Sequence, residues 1–140
     1  MARSSDLWSR FETALTKQDY EGFISLFSED ATYLEPGGRH EGRKGIQAWL
    51  DDWGHSFSDT RFEASLVIDD SDVIMAEWTY RCVHTGPLTM PDGSVIPASG
   101  RTIDSPGVTI LRVKDGQIVG ARDYFDQLDG MVQLGLMPGA

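Results

Sequence analysis

Hydrophobic residues recur at helical spacing through the first part of the chain. Three stripes follow the i, i+3, i+4 pattern that is typical of one buried helix face. The second stripe begins directly after Asp19, a residue type that favours helix starts. The stripes consist of Leu7, Trp8, Phe11 and Leu15; of Tyr20, Phe23, Ile24 and Phe27; and of Ile46, Trp49, Leu50 and Trp53.

A short strand and a polar connection separate the second helix from the third. In "ATYLE", Ala31, Tyr33 and Glu35 alternate and therefore share one face of a strand. The following "EPGGRHEGRKG" is rich in glycine and charge and predicts a loop. The third helix is expected from about Lys44.

After Phe57 the pattern changes from helical spacing to segments rich in β-branched and aromatic residues. Turn signals separate these segments without intervening helices, which favours an antiparallel meander. Helices first and a sheet afterwards indicate an α+β fold, in which a curved sheet wraps a cavity that the helices close. A short helical lid is expected around Met131 to Leu134. The predicted strands are "RFEASLVI", "DVIMAEWTYRCV", "RTIDSPGVTILRV" and "QIVGARDYF".

Composition narrows the class of protein. The 140 residues fit a single domain over residues 1–140, and 4 Trp, 6 Phe and 4 Tyr predict a core or pocket of large flat side chains. A net charge of −10 without a basic stripe argues against nucleic-acid binding. No apolar run approaches the roughly 20 residues that span a bilayer. With Cys82 as the only cysteine, a cytoplasmic protein that does not bind membranes is expected.

The histidines give no metal-binding pattern. His40, His55 and His84 are scattered, and no pair has the i, i+4 spacing of a helical zinc motif. His40 and His84 fall in predicted loops, where exposure to water is the expectation. We therefore expect no metal site.

Asp123 is the most informative polar residue. Period two in the last strand places it with Val119, Ala121 and Phe125 on the more apolar face, whereas Asp126 lies on the opposite face. Burial against apolar neighbours raises the pKa of a carboxyl group towards the range of a general base or acid. The alternative is that Asp123 pairs with an arginine or caps a loop.

Two further groups of residues are candidates for the same site. Tyr33 and Glu35 point the same way and bring a phenol and a carboxylate into one space, unless Glu35 is a solvated residue before the Pro-Gly-Gly turn. In "AEWTYRC", the face formed by Trp78 and Tyr80 is a candidate pocket wall. The alternative interpretation is that this face belongs to the core.

The order of elements and three segments, "LFSEDATYLEPGG", "HTGPL" and "DGQIVGARDYFDQLDGMVQLG", resemble the nuclear transport factor 2-like superfamily and, within it, the SnoaL-like polyketide cyclases. This resemblance implies a cone of three N-terminal helices on a curved, mostly antiparallel sheet around an apolar pocket, and pairing as a homodimer. It also implies that one aspartate on the last strand is the acid/base for ring closure, without cofactor or metal. By motif position that residue is Asp123.

Two related families are similar in part. "ARDYFD" also resembles the last strand of limonene epoxide hydrolase, where Asp123 and Tyr33 match two of the three groups that hold the attacking water. Glu35 replaces the third, and Trp78 and Tyr80 stand where an arginine and an acid are expected. "ATYLEP" resembles the ketosteroid isomerases, in which Glu35 matches the general base, but their oxyanion donors are not kept.

The preferred hypothesis is a cofactor-independent cyclase or isomerase that acts on an apolar, carbonyl-bearing small molecule. Asp123 would remove a proton next to the carbonyl, and Tyr33 or Tyr80 would hydrogen-bond the enolate. Glu35 is a further candidate catalytic carboxylate. An epoxide hydrolase and a non-catalytic binding protein are the alternatives. The pocket is expected to be shaped by Trp53, Trp78 and Phe125.

Overall fold

The structure, a computed structural model, describes residues 4–137. Four helices and eight strands occur in this range. The elements are α1 (Ser4–Thr16), α2 (Tyr20–Ile24), β1 (Phe27–Glu35), β2 (Gly38–Glu41), α3 (Gly42–Ser56), β3 (Phe57–Asp69), β4 (Val73–His84), β5 (Leu88–Thr89), β6 (Val95–Ile96), β7 (Thr102–Lys114), β8 (Gln117–Phe125) and α4 (Gln127–Gln133).

The three predicted helices are present, and their apolar stripes face inward. Phe11 and Phe23 are fully buried, and their rings lie 4.7 Å apart where α1 crosses α2. The Asp19 side chain accepts a hydrogen bond from the Gly22 N–H and so caps α2. Phe27, predicted as the last residue of the second stripe, instead begins β1.

The sheet confirms the predicted meander. Its six strands lie in the order β2-β1-β8-β7-β4-β3, and every neighbouring pair is antiparallel except β1 and β8. Between β7 and β8, Asp115 and Gly116 have φ values of 52° and 75°. Two successive positive φ values match the tight hairpin turn for which Asp-Gly is a preferred sequence.

Two predicted elements outside the main helices and strands are present. β1 lies between α2 and α3, where the short strand "ATYLE" was predicted, and the expected helical lid forms α4, which begins earlier than predicted at Gln127. Two predicted connections, however, contain additional strands. The glycine-rich connection was predicted as a loop, but Gly38–Glu41 pairs with β1 as β2. The turn signal "TMPDGS" likewise closes a small hairpin of β5 and β6. The α+β class and the curved, mostly antiparallel sheet are as predicted, and the sheet has six strands.

The helices pack on one face of the sheet. The ring of Phe62 on β3 lies 6.1 Å from that of Phe11 on α1 and 4.9 Å from that of Trp78 on β4. This packing holds α1 against the sheet and leaves a cavity beside Trp78. Within residues 4–137, no helix combines the length and the apolar character needed to cross a bilayer.

Candidate active site

A cavity of about 600 Å³ lies between the helices and the inner face of the sheet. Its wall is mainly aromatic and aliphatic, which is typical of a small-molecule pocket. All seven residues that the sequence analysis singled out contribute to its lining. They are Asp123, Tyr33, Glu35, Tyr80, Trp53, Trp78 and Phe125.

Asp123 lies on the inner face of β8, as predicted, but the strand is not regular. A register shift in the β7–β8 pairing leaves Val119 without a partner. Val119 is therefore 36% exposed, whereas Ile118 is fully buried, so the prediction that Val119 shares the face of Asp123 was wrong. From Ala121 onward the alternation is as predicted and brings Asp123 into the cavity.

Two hydroxyl groups donate hydrogen bonds to the Asp123 carboxylate. The Tyr33 hydroxyl lies 2.9 Å from Oδ1 and 2.8 Å from Oδ2, and Thr109 Oγ1 lies 2.6 Å from Oδ1. Trp78 Nε1 in turn donates to Thr109 Oγ1 over 2.7 Å. Because an indole nitrogen only donates, the Thr109 oxygen accepts from Trp78 and its own hydrogen points to Asp123.

The strand register explains why these residues meet. Thr109 on β7 is the direct partner of Asp123 on β8. Tyr33 on β1 pairs with Ala121, the neighbour of Asp123 on the same face of β8. The sheet therefore fixes both donors relative to the carboxylate. Tyr33 and Thr109 are buried, and Asp123 is half-buried at the wall of the cavity.

Gly107 completes this arrangement, and the sequence analysis missed both it and Thr109. Gly107 is the register partner of Trp78, and a Cβ at this position would lie 2.3 Å from an atom of the indole ring. Only glycine leaves room for the ring to lie across β7 and reach Thr109. "SPGVT" carries this signal, because a glycine inside a strand marks a close approach of another group.

Burial raises the pKa of Asp123 to about 7. Hydrogen bonds from Thr109 and Tyr33 lower it, and the negative charge of Glu35 raises it further. The pKa of Tyr33 is raised well above its usual value of 10, by burial first and then by the charge of Asp123. Tyr33 thus stays protonated as a donor while Asp123 titrates near neutrality.

The alternative in which Asp123 pairs with an arginine does not match these contacts. None of the ion pairs found in residues 4–137 includes Asp123. Asp126, the other carboxylate of this segment, accepts a hydrogen bond from the Asp129 N–H over 2.9 Å and caps α4. The two aspartates therefore have different roles: Asp123 is hydrogen-bonded at the cavity wall, and Asp126 stabilises a helix end.

Glu35 lies at the same end of the cavity as Asp123. Its side chain is only 8% exposed and accepts hydrogen bonds from the Gly37 N–H at 3.0 Å and from His40 Nε2 at 3.2 Å. The His40 ring stacks on Trp49 at 4.8 Å, and Trp49 contacts Tyr33 at 4.7 Å. Glu35 is thus not the solvated residue of the alternative interpretation.

The prediction that His40 lies in an exposed loop was wrong, because β2 pairs it with Tyr33. Its side chain is 21% exposed. The sequence analysis also missed Trp49 as a pocket residue, since its helical stripe equally predicted a plain core position. Only the hairpin of β1 and β2, which no sequence pattern had indicated, brings His40 to Glu35.

The opposite part of the cavity is built around Tyr80. The Trp53 Nε1–H donates to the Tyr80 hydroxyl, with 2.5 Å between the two atoms. Phe62 lies between Tyr80 and Trp78, with ring distances of 6.1 and 4.9 Å. Trp78 continues to Phe125, 6.3 Å away, so aromatic rings connect the two ends of the cavity.

The described residues contain no group of three His, Cys, Asp or Glu side chains that is placed to hold a metal ion. His84 was predicted in an exposed loop but is fully buried at the end of β4. Its Nδ1 lies 2.9 Å from Ser99 Oγ, and its ring lies 5.4 Å from that of Phe57. The hydrogen bond to Ser99 and the contact with Phe57 hold the ring in this position.

The fold and the site define an α+β protein with an internal apolar cavity and a carboxylate held by two hydroxyl donors. The family model described as the SnoaL-like domain matches residues 8–121, and the chain therefore belongs to the SnoaL-like family, within the nuclear transport factor 2-like superfamily. Asp123 lies just beyond the matched segment. Its assignment therefore depends on the geometry described above.

Solved structures show the same fold. TsrD from Streptomyces laurentii superposes with a TM-score of 0.80 at 23% identity, covering 98% of this chain and 99% of that one. A protein from Xanthomonas campestris pv. campestris, provisionally named a polyketide cyclase, gives a TM-score of 0.78 at 23% identity over 94% and 96% of the two chains. AclR from Streptomyces galilaeus, provisionally named a hydroxylase, gives 0.80 at 19% identity over 96% of both chains. No curated protein matches the sequence.

Proposed function

We propose that the protein is a cofactor-independent acid/base enzyme that cyclises or isomerises an apolar, carbonyl-bearing small molecule. The observation that carries this proposal is the half-buried Asp123 carboxylate, which faces an apolar cavity and is oriented by Tyr33 and Thr109. A buried carboxyl group without a cationic partner costs stability. The pKa of Asp123, about 7, is the property that a general base needs at physiological pH.

In the proposed first step, an Asp123 oxygen takes a proton from the carbon next to the substrate carbonyl. The electron pair of the broken C–H bond moves into the carbonyl and forms an enolate. As Asp123 becomes neutral it needs fewer hydrogen bonds, so the Tyr33 O–H is free to donate to the enolate oxygen. Because the pKa of Tyr33 is raised well above 10, its hydroxyl stays protonated and can act as this hydrogen-bond donor.

The second step returns the proton. In an isomerisation, Asp123–H protonates a different carbon of the enolate. In a cyclisation, the enolate carbon attacks a second carbonyl of the same molecule, and the proton neutralises the resulting alkoxide. General acid/base catalysis of this kind contributes about 10² to 10⁴ in rate. The cavity walls exclude water and position the apolar substrate, and they include Trp53, Trp78 and Phe125.

The test is hydrogen exchange in deuterated water with 2-tetralone, an apolar ketone with acidic protons next to its carbonyl. Mass spectrometry measures deuterium incorporation by the wild type, by Asp123→Asn and by Asp104→Asn. Asp104 is exposed on β7 and provides a matched loss of one surface carboxylate. We expect enzyme-catalysed exchange that falls by about 10² to 10⁴ in Asp123→Asn and is kept in Asp104→Asn.

Two outcomes would replace this proposal by one of the alternatives. If the wild type binds 2-tetralone, as seen by quenching of tryptophan fluorescence, but exchanges no faster than Asp123→Asn, the protein is a binder of apolar molecules. If it instead opens 1-methylcyclohexene oxide in heavy-oxygen water and places the label in the diol, it is an epoxide hydrolase.

We also propose that the protein forms a homodimer through the outer face of the sheet. Ile68, Met75 and Ile110 are neighbours in the strand register and point away from the cavity. Ile68 is 55% exposed and Met75 41%. Glu77 and Arg122 on the same face carry opposite charges, which suits a two-fold interface that must be self-complementary. A cytoplasmic location stays a prediction.

A further inference from the structure

The end of the cavity around Tyr80 contains hydrogen-bond donors that find no strong acceptor among the described residues. The Tyr80 oxygen accepts its hydrogen bond from Trp53 Nε1–H. This leaves the hydrogen of the Tyr80 hydroxyl free to donate. Among the described residues, the Cys82 sulfur and the Thr60 hydroxyl lie beside this hydrogen, and neither is a strong acceptor.

Thr60 adds a second unused hydroxyl. Its Oγ1 is fully shielded from solvent, yet it has no hydrogen-bond partner within residues 4–137. Thr60 lines the cavity and lies close enough to Tyr80 to lower the pKa of the phenol, although the two hydroxyls do not form a well-aligned hydrogen bond. A buried hydroxyl without a partner lowers the stability of the fold, so its presence calls for an explanation.

Cys82 is the third neighbour of the Tyr80 hydroxyl and is fully buried. Burial raises the pKa of its thiol to about 12 and raises that of Tyr80 above its usual value. Both groups are therefore protonated at neutral pH. A thiol sulfur accepts hydrogen bonds only weakly, so it does not satisfy the hydroxyl groups beside it.

Because the Tyr80 oxygen already accepts from Trp53, Tyr80 can offer a ligand only its hydroxyl hydrogen, and the group that complements this hydrogen is an acceptor. A carbonyl or ether oxygen accepts hydrogen bonds without needing to donate one. The chemistry of the site therefore selects an uncharged oxygen acceptor carried by an apolar skeleton.

The hydroxyl groups of Tyr80 and Thr60 lie well apart from Asp123. Thr109, the register partner of Asp123, pairs on its other side with Ala76 of β4. Tyr80 lies four residues along β4 from Ala76, which corresponds to about 13 Å of strand. The aromatic wall of Trp78 and Phe62 fills the distance between them.

We propose that Tyr80 and Thr60 form a second oxygen site of the cavity, which binds a carbonyl or ether oxygen of the ligand at the end remote from the ionisable Asp123. This inference rests on the proposed function only in placing the reacting carbonyl beside Asp123. It assigns Tyr80 to ligand recognition rather than to enolate stabilisation, the other role considered for it. The ligand is then an apolar molecule with oxygen functions at both ends.

A matched pair of rigid probes tests this site. Androst-4-ene-3,17-dione carries carbonyl oxygens at both ends of an apolar skeleton, and androst-4-en-3-one lacks the second one. Affinities are measured by isothermal titration calorimetry for the wild type, Tyr80→Phe, Thr60→Val and Asp123→Asn. We expect the wild type to prefer the diketone about three- to tenfold. Tyr80→Phe and Thr60→Val should remove this preference while leaving the affinity for the monoketone nearly unchanged.

Thermal unfolding of the unliganded variants separates recognition from structure. Because Thr60→Val removes a buried hydroxyl without a partner and keeps the shape of the side chain, we expect it to unfold at the same or a higher temperature than the wild type. A variant that is at least as stable but has lost the preference for the diketone supports the site. A clear loss of stability would show that Thr60 has a structural partner and would overturn its assignment.

Other outcomes also decide the matter. Equal wild-type affinities for the two probes, no binding of either probe, or a preference that survives in both Tyr80→Phe and Thr60→Val would each overturn the proposal. Asp123→Asn should retain the preference, since its carboxylate lies at the other end. The wild type could prefer the diketone although neither it nor any variant catalyses exchange of the 2-tetralone protons. In that case the second oxygen site stands and the proposed enzymatic function fails.

Discussion

The Tyr33 hydroxyl lies 2.8 Å from one carboxylate oxygen of Asp123 and 2.9 Å from the other, although 90 positions separate the two residues in the chain. The parallel pairing of β1 with β8 produces this contact. This pairing joins β1 and β8, which come first and last among the strands along the chain, and places both side chains in an apolar cavity. A phenol that donates to a buried carboxylate favours its ionised form, in opposition to burial, which favours the neutral one.

The stability of the protein should decrease as the pH rises through the range in which Asp123 ionises. The pKa of Asp123 is about 7 in the folded state against its usual value of 3.8, so between these values the folded chain binds a proton that the unfolded chain has released. Folding is then progressively disfavoured from about pH 4 to pH 7, by on the order of 4 kcal/mol.

The measurement compares urea unfolding of the wild type and Asp123→Asn between pH 4 and pH 8. Asparagine cannot ionise, so the free energy of unfolding of the variant, relative to that of the wild type, should rise with pH and level off above pH 7. Other titrating groups cancel in this difference. A flat difference would show that Asp123 ionises with an ordinary pKa.

Thr109→Val should raise the pKa of Asp123 further. The substitution keeps the side-chain shape but removes the 2.6 Å hydrogen bond that favours the carboxylate. It also leaves the Trp78 indole N–H buried without an acceptor, which costs about 1–3 kcal/mol of folding free energy. The pH dependence of 2-tetralone exchange gives the pKa as the midpoint of its rising limb. Thr109→Ser, which restores the hydroxyl, should return this midpoint towards the wild-type value.

Glu35→Gln should shift the same midpoint in the opposite direction. The negative charge of Glu35 raises the pKa of Asp123, so its removal lets Asp123 ionise at lower pH. The exchange rate below pH 7 should therefore increase if Glu35 has only this electrostatic role. Glu41→Gln, which removes an exposed carboxylate paired with Arg39, is the matched control and should leave the midpoint unchanged. Loss of exchange at every pH in Glu35→Gln would instead identify Glu35 as a catalytic group.

The sequence was sufficient to predict the main helices, the long strands and the face of Asp123, because period two and period 3.6 follow from local geometry. It was not sufficient for the partners of Asp123. Thr109 is an unremarkable strand residue until the register places it opposite the carboxylate. His40 was misassigned for the same reason, since pairing within β1 and β2 is a tertiary property.

The irregularity of β8 shows a second limit of sequence patterns. Alternation predicts Val119 inward, but the shift in pairing with β7 exposes it and buries Ile118. The sequence does not reveal this bulge, because valine and isoleucine fit either face of a strand. The prediction for Asp123 was unaffected since the register is regular again at Ala121.

Met75→Lys should disrupt the proposed homodimer. Met75 lies between Ile68 and Ile110 on the outer face of the sheet, and a charged group at the centre of an apolar interface would be buried without a partner. Size-exclusion chromatography with light scattering should give a dimer for the wild type and a monomer for the variant. Val95→Lys is the control, because Val95 is 57% exposed on the separate β5–β6 hairpin. A monomeric wild type at micromolar concentration would remove the proposed interface.

Gly107→Ala should damage the site without touching Asp123. The added Cβ would lie 2.3 Å from the Trp78 ring, so the indole must move away from β7 and lose its hydrogen bond to Thr109. Overpacking of this kind costs about 1–3 kcal/mol. A freed Thr109 hydroxyl is no longer oriented towards Asp123, so the pKa of Asp123 should rise and the midpoint of 2-tetralone exchange should move to higher pH.

The matched control for this change is Gly130→Ala in α4. No atom lies within 4 Å of a Cβ added at Gly130, and alanine in a helix is favoured over glycine by about 0.5–1 kcal/mol. Gly130→Ala should thus unfold at the same or a higher temperature than the wild type, whereas Gly107→Ala should unfold at a lower one. If Gly107→Ala keeps both its unfolding temperature and the pH midpoint of exchange, the Trp78 indole does not orient Thr109, and the pKa of Asp123 is set by burial and Tyr33 alone.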